Sequence, residues 1–468
     1  MGHQQPQKEL FSYQVDLDKR VRPDHPLRRV AAAIDFTFAR AEVQASYGYN
    51  GNVSVDPAVV LKLMFLLFFD NVRSERHLME LLPERLDYLW FLGYGMNEEL
   101  PHHSVLSKAR ARWGSVVFEK LFIRTVAACL AAGLVDGKKI HVDGSLISAH
   151  AAMNSIISGP PELLAALQAT YQQEAAKLEE PLADASQRST TDPDAQLARR
   201  PGQPTRLRYK QHRVVDDAKG VITAQVTTGG AVPEDGQLMG LVEQHHLHTG
   251  VAAQTVVADS QYGTAKNYLA CADRSIQAHM ADWKAHHQGG TAKEQFGADR
   301  FCYDRASDTY RCPAGQTLHR YQRCAHKPAW EYKAKPSVCA QCPLRAQCTG
   351  SPSGRRIQRY ERQEQLDQLR VLANRPAARK DRRRRQHLIE GSFADAANNH
   401  GFKRSRWRRL WRQQIQNHLI AACQNLRILL RSTGKKLAAA VSVLSWPQIG
   451  CWNPQLQPRK GLLPFQLN

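Results

Sequence analysis

Two short runs of β-branched residues, Lys139-Ile140-His141-Val142-Asp143 and Thr255-Val256-Val257-Ala258-Asp259, lie far apart in the chain, and each finishes on an aspartate. Each reads as a short strand. Between them, residues 209–215 and 221–227 are β-rich and flank Asp216-Asp217-Ala218-Lys219-Gly220, a hairpin signal. Residues 235–246 carry a helical pattern. Beyond the second aspartate come a helix over 266–273 and a strand over 276–280. The order strand, hairpin, helix, strand, helix, strand predicts an α/β fold, a mixed sheet with helices on its faces. It also predicts that both carboxylates stand at strand ends, where open α/β sheets gather their chemistry.

The flanking segments read differently. Residues 1–135 are mostly helical. Asp56 is an N-cap with Pro57 at the first helical position, and the apolar run over 58–69 is a buried helix. That run is shorter than the ~20 residues a bilayer requires, so no membrane span is expected. Ser74 caps a second segment over 75–82. Ser104 caps a third, in which Val105, Ala109, Trp113, Val116 and Phe118 keep helical spacing. Short helices joined by polar turns fit a helix-turn-helix DNA-binding bundle, and equally a helical dimerisation unit. Residues 151–204 are polar, loop-like over 186–204. Residues 283–355 are polar, Cys-rich and full of turn residues, and read as an insertion.

Pro376 then opens a helix through Arg382-Arg383-Arg384-Arg385 to Glu390, which Gly401 stops, and a second basic helix is expected over 404–430. The expected division is a helical DNA-binding or dimerisation domain over 1–135 and a first part of the catalytic core over 136–282. The insertion over 283–355, a helical last part of the core over 356–432 and a tail over 433–468 complete it.

Bulk charge narrows the partner. Lys and Arg number 64 against 43 Asp and Glu, a net charge of +21, and a pI near 9.7 calls for a polyanion such as nucleic acid. Residues 1–8 are polar and lack the apolar core of a secretory signal, so a cytoplasmic, nucleoid-associated protein is expected. Its ten cysteines are then expected reduced.

Phosphodiester cleavage needs an in-line nucleophile and relief of charge at phosphorus. Two divalent metals about 3.5–4 Å apart supply both. Mg²⁺ takes oxygen ligands, one or two of them carboxylates. Acidic residues from separate elements can build such a site, and without metal they repel one another.

The chain here resembles a known family, the DDE transposases of insertion sequences. The resemblance begins with Asp56-Pro57-Ala58-Val59-Val60-Leu61-Lys62, Asn71-Val72-Arg73-Ser74-Glu75-Arg76 and His102-His103-Ser104-Val105-Leu106-Ser107-Lys108. It continues through Val142-Asp143-Gly144-Ser145, then Ser189 to Ala195 with Tyr209-Lys210, and Ala258-Asp259-Ser260-Gln261-Tyr262-Gly263. It ends with Glu390-Gly391-Ser392-Phe393 and Asn398-Asn399-His400-Gly401. The motifs fall in the family's order from about residue 9 to 430.

The resemblance implies an RNase H-like catalytic domain that cleaves transposon ends and transfers strands. By the same resemblance, Asp143, Asp259 and Glu390 hold Mg²⁺ or Mn²⁺. The implied partners are double-stranded DNA, as terminal inverted repeats and target, and a second copy of the chain. Many relatives carry a Lys seven residues after the glutamate, where this chain has Ala397. Their Tyr and Arg before the glutamate fall here at Arg383 and Gln386.

Arg383 and His387 share the helix face of Glu390 and are candidate phosphate contacts. Lys210, Lys403, Arg404, Arg406, Arg408 and Arg409 are further candidates, with Trp407 and Trp411 as stacking faces. In the insertion, Cys339-Ala340-Gln341-Cys342 is a C-x₂-C pair. With Cys312 and Cys348 it makes a credible closed structural Zn²⁺ site, and Cys302, Cys324, His319 and His326 are reserve ligands. Two other functions fit the same residues: a decayed transposase that only binds DNA, and an RNase H-like nuclease on RNA or branched DNA.

Overall fold

The computed structural model describes residues 15–48, 54–158, 187–199, 202–282, 295–325 and 327–433. The tail beyond Thr433, the N-terminal residues 1–14 and His326 lie outside the described residues.

The N-terminal region is helical, as its caps predict. Helices α1 (Pro26–Ala33), α2 (Pro57–Phe69), α3 (Glu75–Leu81), α4 (Leu86–Leu92), α5 (Ser104–Trp113) and α6 (Val116–Ala131) form it. Asp56 accepts from the Ala58 N–H and Ser74 from the His77 N–H, each satisfying an orphan donor. One expectation is corrected. Ser104 opens α5 instead of capping it, and Gly114 at φ +65° breaks the pattern that joins Val105 to Phe118 into two helices. Helix α2 is buried at ten of its thirteen positions, so it forms the middle of this region.

A six-stranded mixed sheet follows, built from β1 (Lys139–Ser148), β2 (Gln196–Ala198), β3 (Arg206–Asp216), β4 (Ile222–Gly229), β5 (Thr255–Val257) and β6 (Gln277–His279). Its central order is β4-β3-β1-β5-β6. The first three strands are antiparallel, and β5 and β6 run parallel to β1. Gly220 at φ +75° turns the β3–β4 hairpin. Ile140, Val142 and Val214 face a core shared with α7 (Leu238–Thr249), α8 (Ala265–Asp273) and α9 (Gln363–Ala373). The opposite face packs Val215 and Ile222 beneath α10 (Pro376–His400) and α11 (Leu410–Thr433).

Strand β1 does not stop at Asp143. It pairs with β3 from Ile140 to Ser148, because β3 is long enough to partner the whole alternating stretch.

Between β6 and α9 lies a separate antiparallel sheet, β7 (Cys302–Asp304), β8 (Thr309–Arg311), β9 (Thr317–Arg323), β10 (Ala329–Lys333) and β11 (Arg356–Tyr360), in the order β11-β10-β9-β8-β7. The turn-rich insertion is thus an ordered small sheet whose last strand runs past residue 355. Its core is only Phe301, Tyr310, Leu318, Tyr332, Ala334 and Ile357.

The second basic helix also begins later than its charge pattern predicts. α11 starts at Leu410, and residues 403–409 form the loop before it. That loop ties the two halves of the chain together. The last carbonyls of α2 lack intrahelical partners. Arg406 donates to the Leu67 carbonyl at 3.3 Å, His400 Nδ1 meets the Phe68 carbonyl at 2.7 Å, and Arg427 donates to that of Phe69. Cations there also suit the negative end of the helix dipole. Arg406 stacks on Phe68, 4.4 Å from its ring. The N-terminal helices and α11 consequently share one apolar core.

Asp192, fully buried, anchors the approach to β2 and β3. Its Oδ1 accepts from the Tyr209 hydroxyl at 2.5 Å and the Arg409 N–H at 2.9 Å. Burial pushes its carboxyl up from 3.8 to about 6, against the lowering effect of those two bonds. A carboxyl with a folded pKa above its unfolded one supports the fold most below pH 4 and loses that contribution as pH rises to 6. The Asp192→Asn variant therefore gains about 2–3 kcal/mol relative to wild type between pH 4 and pH 7, read as the difference of two denaturant-unfolding series.

Candidate active site

Parallel pairing between β1 and β5 ends at His141 opposite Val257. Past that point Asp143 on β1 and Asp259, two residues beyond β5, stand on either side of a cleft. A third carboxylate joins them from the segment leading to α7. One ligand oxygen each from Asp143, Glu234 and Asp259 lie within 4.8 Å of one another, and all three residues are half-buried. No other group of three His, Cys, Asp or Glu residues among the described residues meets that spacing.

The cleft raises the cost of charge. Burial pushes the Asp143 carboxyl up to about 6, with Asp259 and Glu234 adding to the rise and Arg385 opposing it. Burial also raises Glu234, again with Asp259 adding and Lys210 opposing. Two cations offset the repulsion: Arg385 Nη1 donates to Asp143 Oδ2 at 2.7 Å, and Lys210 Nζ lies 3.3 Å from Glu234 Oε1. Backbone donors orient the aspartates. The Gly144 N–H donates to Asp143 Oδ1 at 2.8 Å and the Gln261 N–H to Asp259 Oδ1 at 2.9 Å. Beneath them, buried His212 lies 3.4 Å from the Tyr262 hydroxyl, and desolvation drops its pKa to about 3, so it is neutral.

Helix α10 is fixed over this cleft by polar contacts. Asp381 meets Lys139 at 3.0 Å and His279 at 2.8 Å, and Arg384 meets Asp217 at 2.6 Å. Arg213, paired in register with Asp143, donates to the Ser392 hydroxyl at 2.8 Å and the Gln424 side chain at 3.2 Å. Asp381, Arg385, Ile389 and Ser392 therefore make the docked face. At 3.6 residues per turn Glu390 falls roughly 140° around the axis from Arg385. It is exposed and does not join Asp143 and Asp259. The physical reason is the register that these ion pairs impose on the helix. Arg383 and His387 are exposed as well.

Of the other basic candidates, Lys403, Arg404 and Arg408 are exposed, and Lys403 donates to the Ser145 hydroxyl at 2.8 Å, two residues along β1 from Asp143. Arg406 and Arg409 are committed within the protein, the first to α2 and the second, buried, to the Asp194 carboxylate at 3.9 Å. Trp407 packs edge-on against Phe68 beneath Arg110, so it is part of the interior contact. Lys210 faces Glu234 in the cleft. Cys312, Cys339, Cys342 and Cys348, none in a disulfide, line one pocket between the turn after β8 and the short helices Pro336–Ala340 and Arg345–Cys348, with no three of their sulfurs within 4.8 Å of one another.

Sequence reasoning missed Glu234. It lies in Gly229-Gly230-Ala231-Val232-Pro233-Glu234, a turn segment without periodicity. No sequence signal marks it; only the fold shows that Gly144 makes room for it, since a Cβ there would meet the Glu234 carboxylate at 3.0 Å.

A sheet ordered β4-β3-β1-β5-β6, with acidic residues at the junction of its first and fourth core strands, has the RNase H-like arrangement of a metal-dependent phosphodiester-processing enzyme. A family model described as "Transposase domain (DUF772)" matches residues 15–112, and one described as "Transposase DDE domain" matches residues 311–430. These two segments carry the domains of an insertion-sequence DDE transposase, an enzyme that cleaves DNA and transfers its strands, and such a DDE domain implies divalent metal. No curated protein matches it. Among solved structures, a piggyBac transposase synaptic complex with hairpin DNA is similar at 9% identity, with a TM-score of 0.35 over 88% of this chain and 75% of that one. A likeness of that size adds nothing to the assignment. No helix among the described residues is long and apolar enough to cross a membrane.

Arg385 is the cation paired with Asp143 in the cleft. Removing one partner of a largely buried ion pair costs roughly 3 kcal/mol. The Arg385→Ala variant is expected to melt lower than wild type without metal, and to be raised further by Mn²⁺, in thermal-shift measurements with and without the ion.

Proposed function

We propose that this protein cuts and joins DNA at the terminal inverted repeats of its own insertion sequence, using Mg²⁺ or Mn²⁺ held by Asp143 and Asp259. The observation that carries this reading is the carboxylate group at the β1–β5 junction in a chain matched by transposase domains. The donor set fits the ion: hard oxygens, close enough to share a cation, in a cleft already holding a guanidinium. Bound there, divalent metal supplies charge neutralisation at the scissile phosphate and activation of the attacking hydroxyl.

The chain's own residues do the rest. Asp143 and Asp259 are held by backbone N–H donors, so they meet a cation without reorganising. Lys403, beside Ser145, offers positive charge along β1 to a phosphate. Arg383, Arg404 and Arg408 present exposed cations, and His387 an exposed imidazole, for the DNA backbone, contacts that position a duplex without reading it. End recognition falls to the N-terminal helices by resemblance, and joining two ends calls for at least a dimer. Glu390 belongs to the family's motif, and from its exposed position it would reach metal only if α10 turned.

Asp143→Asn is expected to lower metal-dependent cleavage of terminal-repeat DNA by ~10³-fold or more while leaving affinity for that DNA intact. Wild-type cleavage by this variant would overturn the assignment.

The four cysteines of the small sheet hold a structural Zn²⁺ in this reading. A core of six buried side chains gains stability from a metal cross-link, and Cys312, Cys339 and Cys348 pack against that core. Elemental analysis is expected to find one zinc per chain, lost in a Cys339→Ser/Cys342→Ser variant together with amide-exchange protection over residues 302–360.

A further inference from the structure

We infer that Glu234 is a metal ligand of this active site, a further carboxylate beside Asp143 and Asp259. The inference rests on the reading that Asp143 and Asp259 hold divalent metal, and it deepens that reading. Neither the β-branched runs nor the family motifs point to Glu234.

Three observations support it. First, one oxygen of Glu234 lies within 4.8 Å of one each from Asp143 and Asp259, whereas Glu390 is exposed and outside that group. Second, room for Glu234 is built into β1. The residue after Asp143 is glycine at ordinary negative φ, and a Cβ there would press on Cδ and Oε2 of Glu234 at 3.0 Å. Glycine at that position therefore serves the close approach of a carboxylate, not a turn. Third, a cation is already seated there. The Arg385 guanidinium binds Asp143 at 2.7 Å, leaves its Nε without a partner, and acts electrostatically on Glu234 as well. A positive group reaching in from α10 stands where a divalent ion would neutralise the same acids.

Lys210 gives Glu234 a second role in the free protein. Its ammonium, on β3, is bonded to the Val232 carbonyl at 3.0 Å and lies 3.3 Å from Glu234, so it holds the segment carrying Glu234 against the sheet. Glu234 is poised by protein contacts on one oxygen, and Oε2 is the oxygen nearer Gly144.

The test uses the full chain without DNA and Mn²⁺ as probe, with free Mn²⁺ read by electron paramagnetic resonance. Glu234→Gln, which keeps shape and removes charge, is expected to weaken Mn²⁺ binding by ~10-fold or more, as Asp259→Asn does. Wild-type affinity in Glu234→Gln, with binding lost in Asp143→Asn and Asp259→Asn, would overturn the inference and leave the site reading intact. Wild-type affinity in all three would overturn both. A second measurement needs no variant: Fe²⁺ with ascorbate cuts backbone next to bound iron, and wild-type protein is expected to be cut beside residue 234 as well as 143 and 259. Cuts at the aspartates alone would also overturn the inference.

Discussion

Like charges brought together in a desolvated cleft must be offset, and that requirement organises this molecule. Asp143, Glu234 and Asp259 converge where β5 stops short, and without metal their repulsion is met by Arg385 and Lys210. Arg385 comes from α10, so the helix is docked by the site it covers. Its other contacts, Asp381 with Lys139 and His279, Arg384 with Asp217, and Ser392 with Arg213, extend the same logic along the helix. These polar contacts flank the apolar side chains Ile389, Phe393 and Ala396 that α10 buries, so charge and packing align the helix together.

That explains what could and could not be read in the residues themselves. Asp143 and Asp259 were legible because each terminates or interrupts a β-branched run, a pattern set by local burial. The caps at Asp56 and Ser74 and the turn at Gly220 were legible for the same local reason. Glu234 was not, because it stands in a Gly-Pro turn segment whose place is fixed by strands distant in the chain. The face of Glu390 was not legible either. Arg-Arg-Arg-Arg-Gln-His-Leu-Ile-Glu by itself offers no apolar stripe of helical period; the rotation of α10 is set by Ile389, Phe393 and Ala396 in the core and by polar partners on β1, β3 and β6.

The basic loop before α11 teaches a related lesson. A run of arginines and tryptophans reads as a surface for nucleic acid. Here its members divide: Lys403, Arg404 and Arg408 face outward, while Arg406 and Arg409 satisfy acceptors inside the protein. Buried helix ends need donors, and the carbonyls of Leu67, Phe68 and Phe69 draw theirs from residues more than three hundred positions later.

This last arrangement bears on how the chain matures. Ribosomes release the first helices long before helix Leu410–Thr433 exists, yet that helix covers their apolar side. At ~5–20 residues per second the delay is roughly 15–60 s. During it the apolar side of those first helices lacks the partner that the finished chain gives it. Final assembly becomes a checkpoint: only a chain translated through its last helix obtains both a settled amino-terminal half and a closed catalytic cleft.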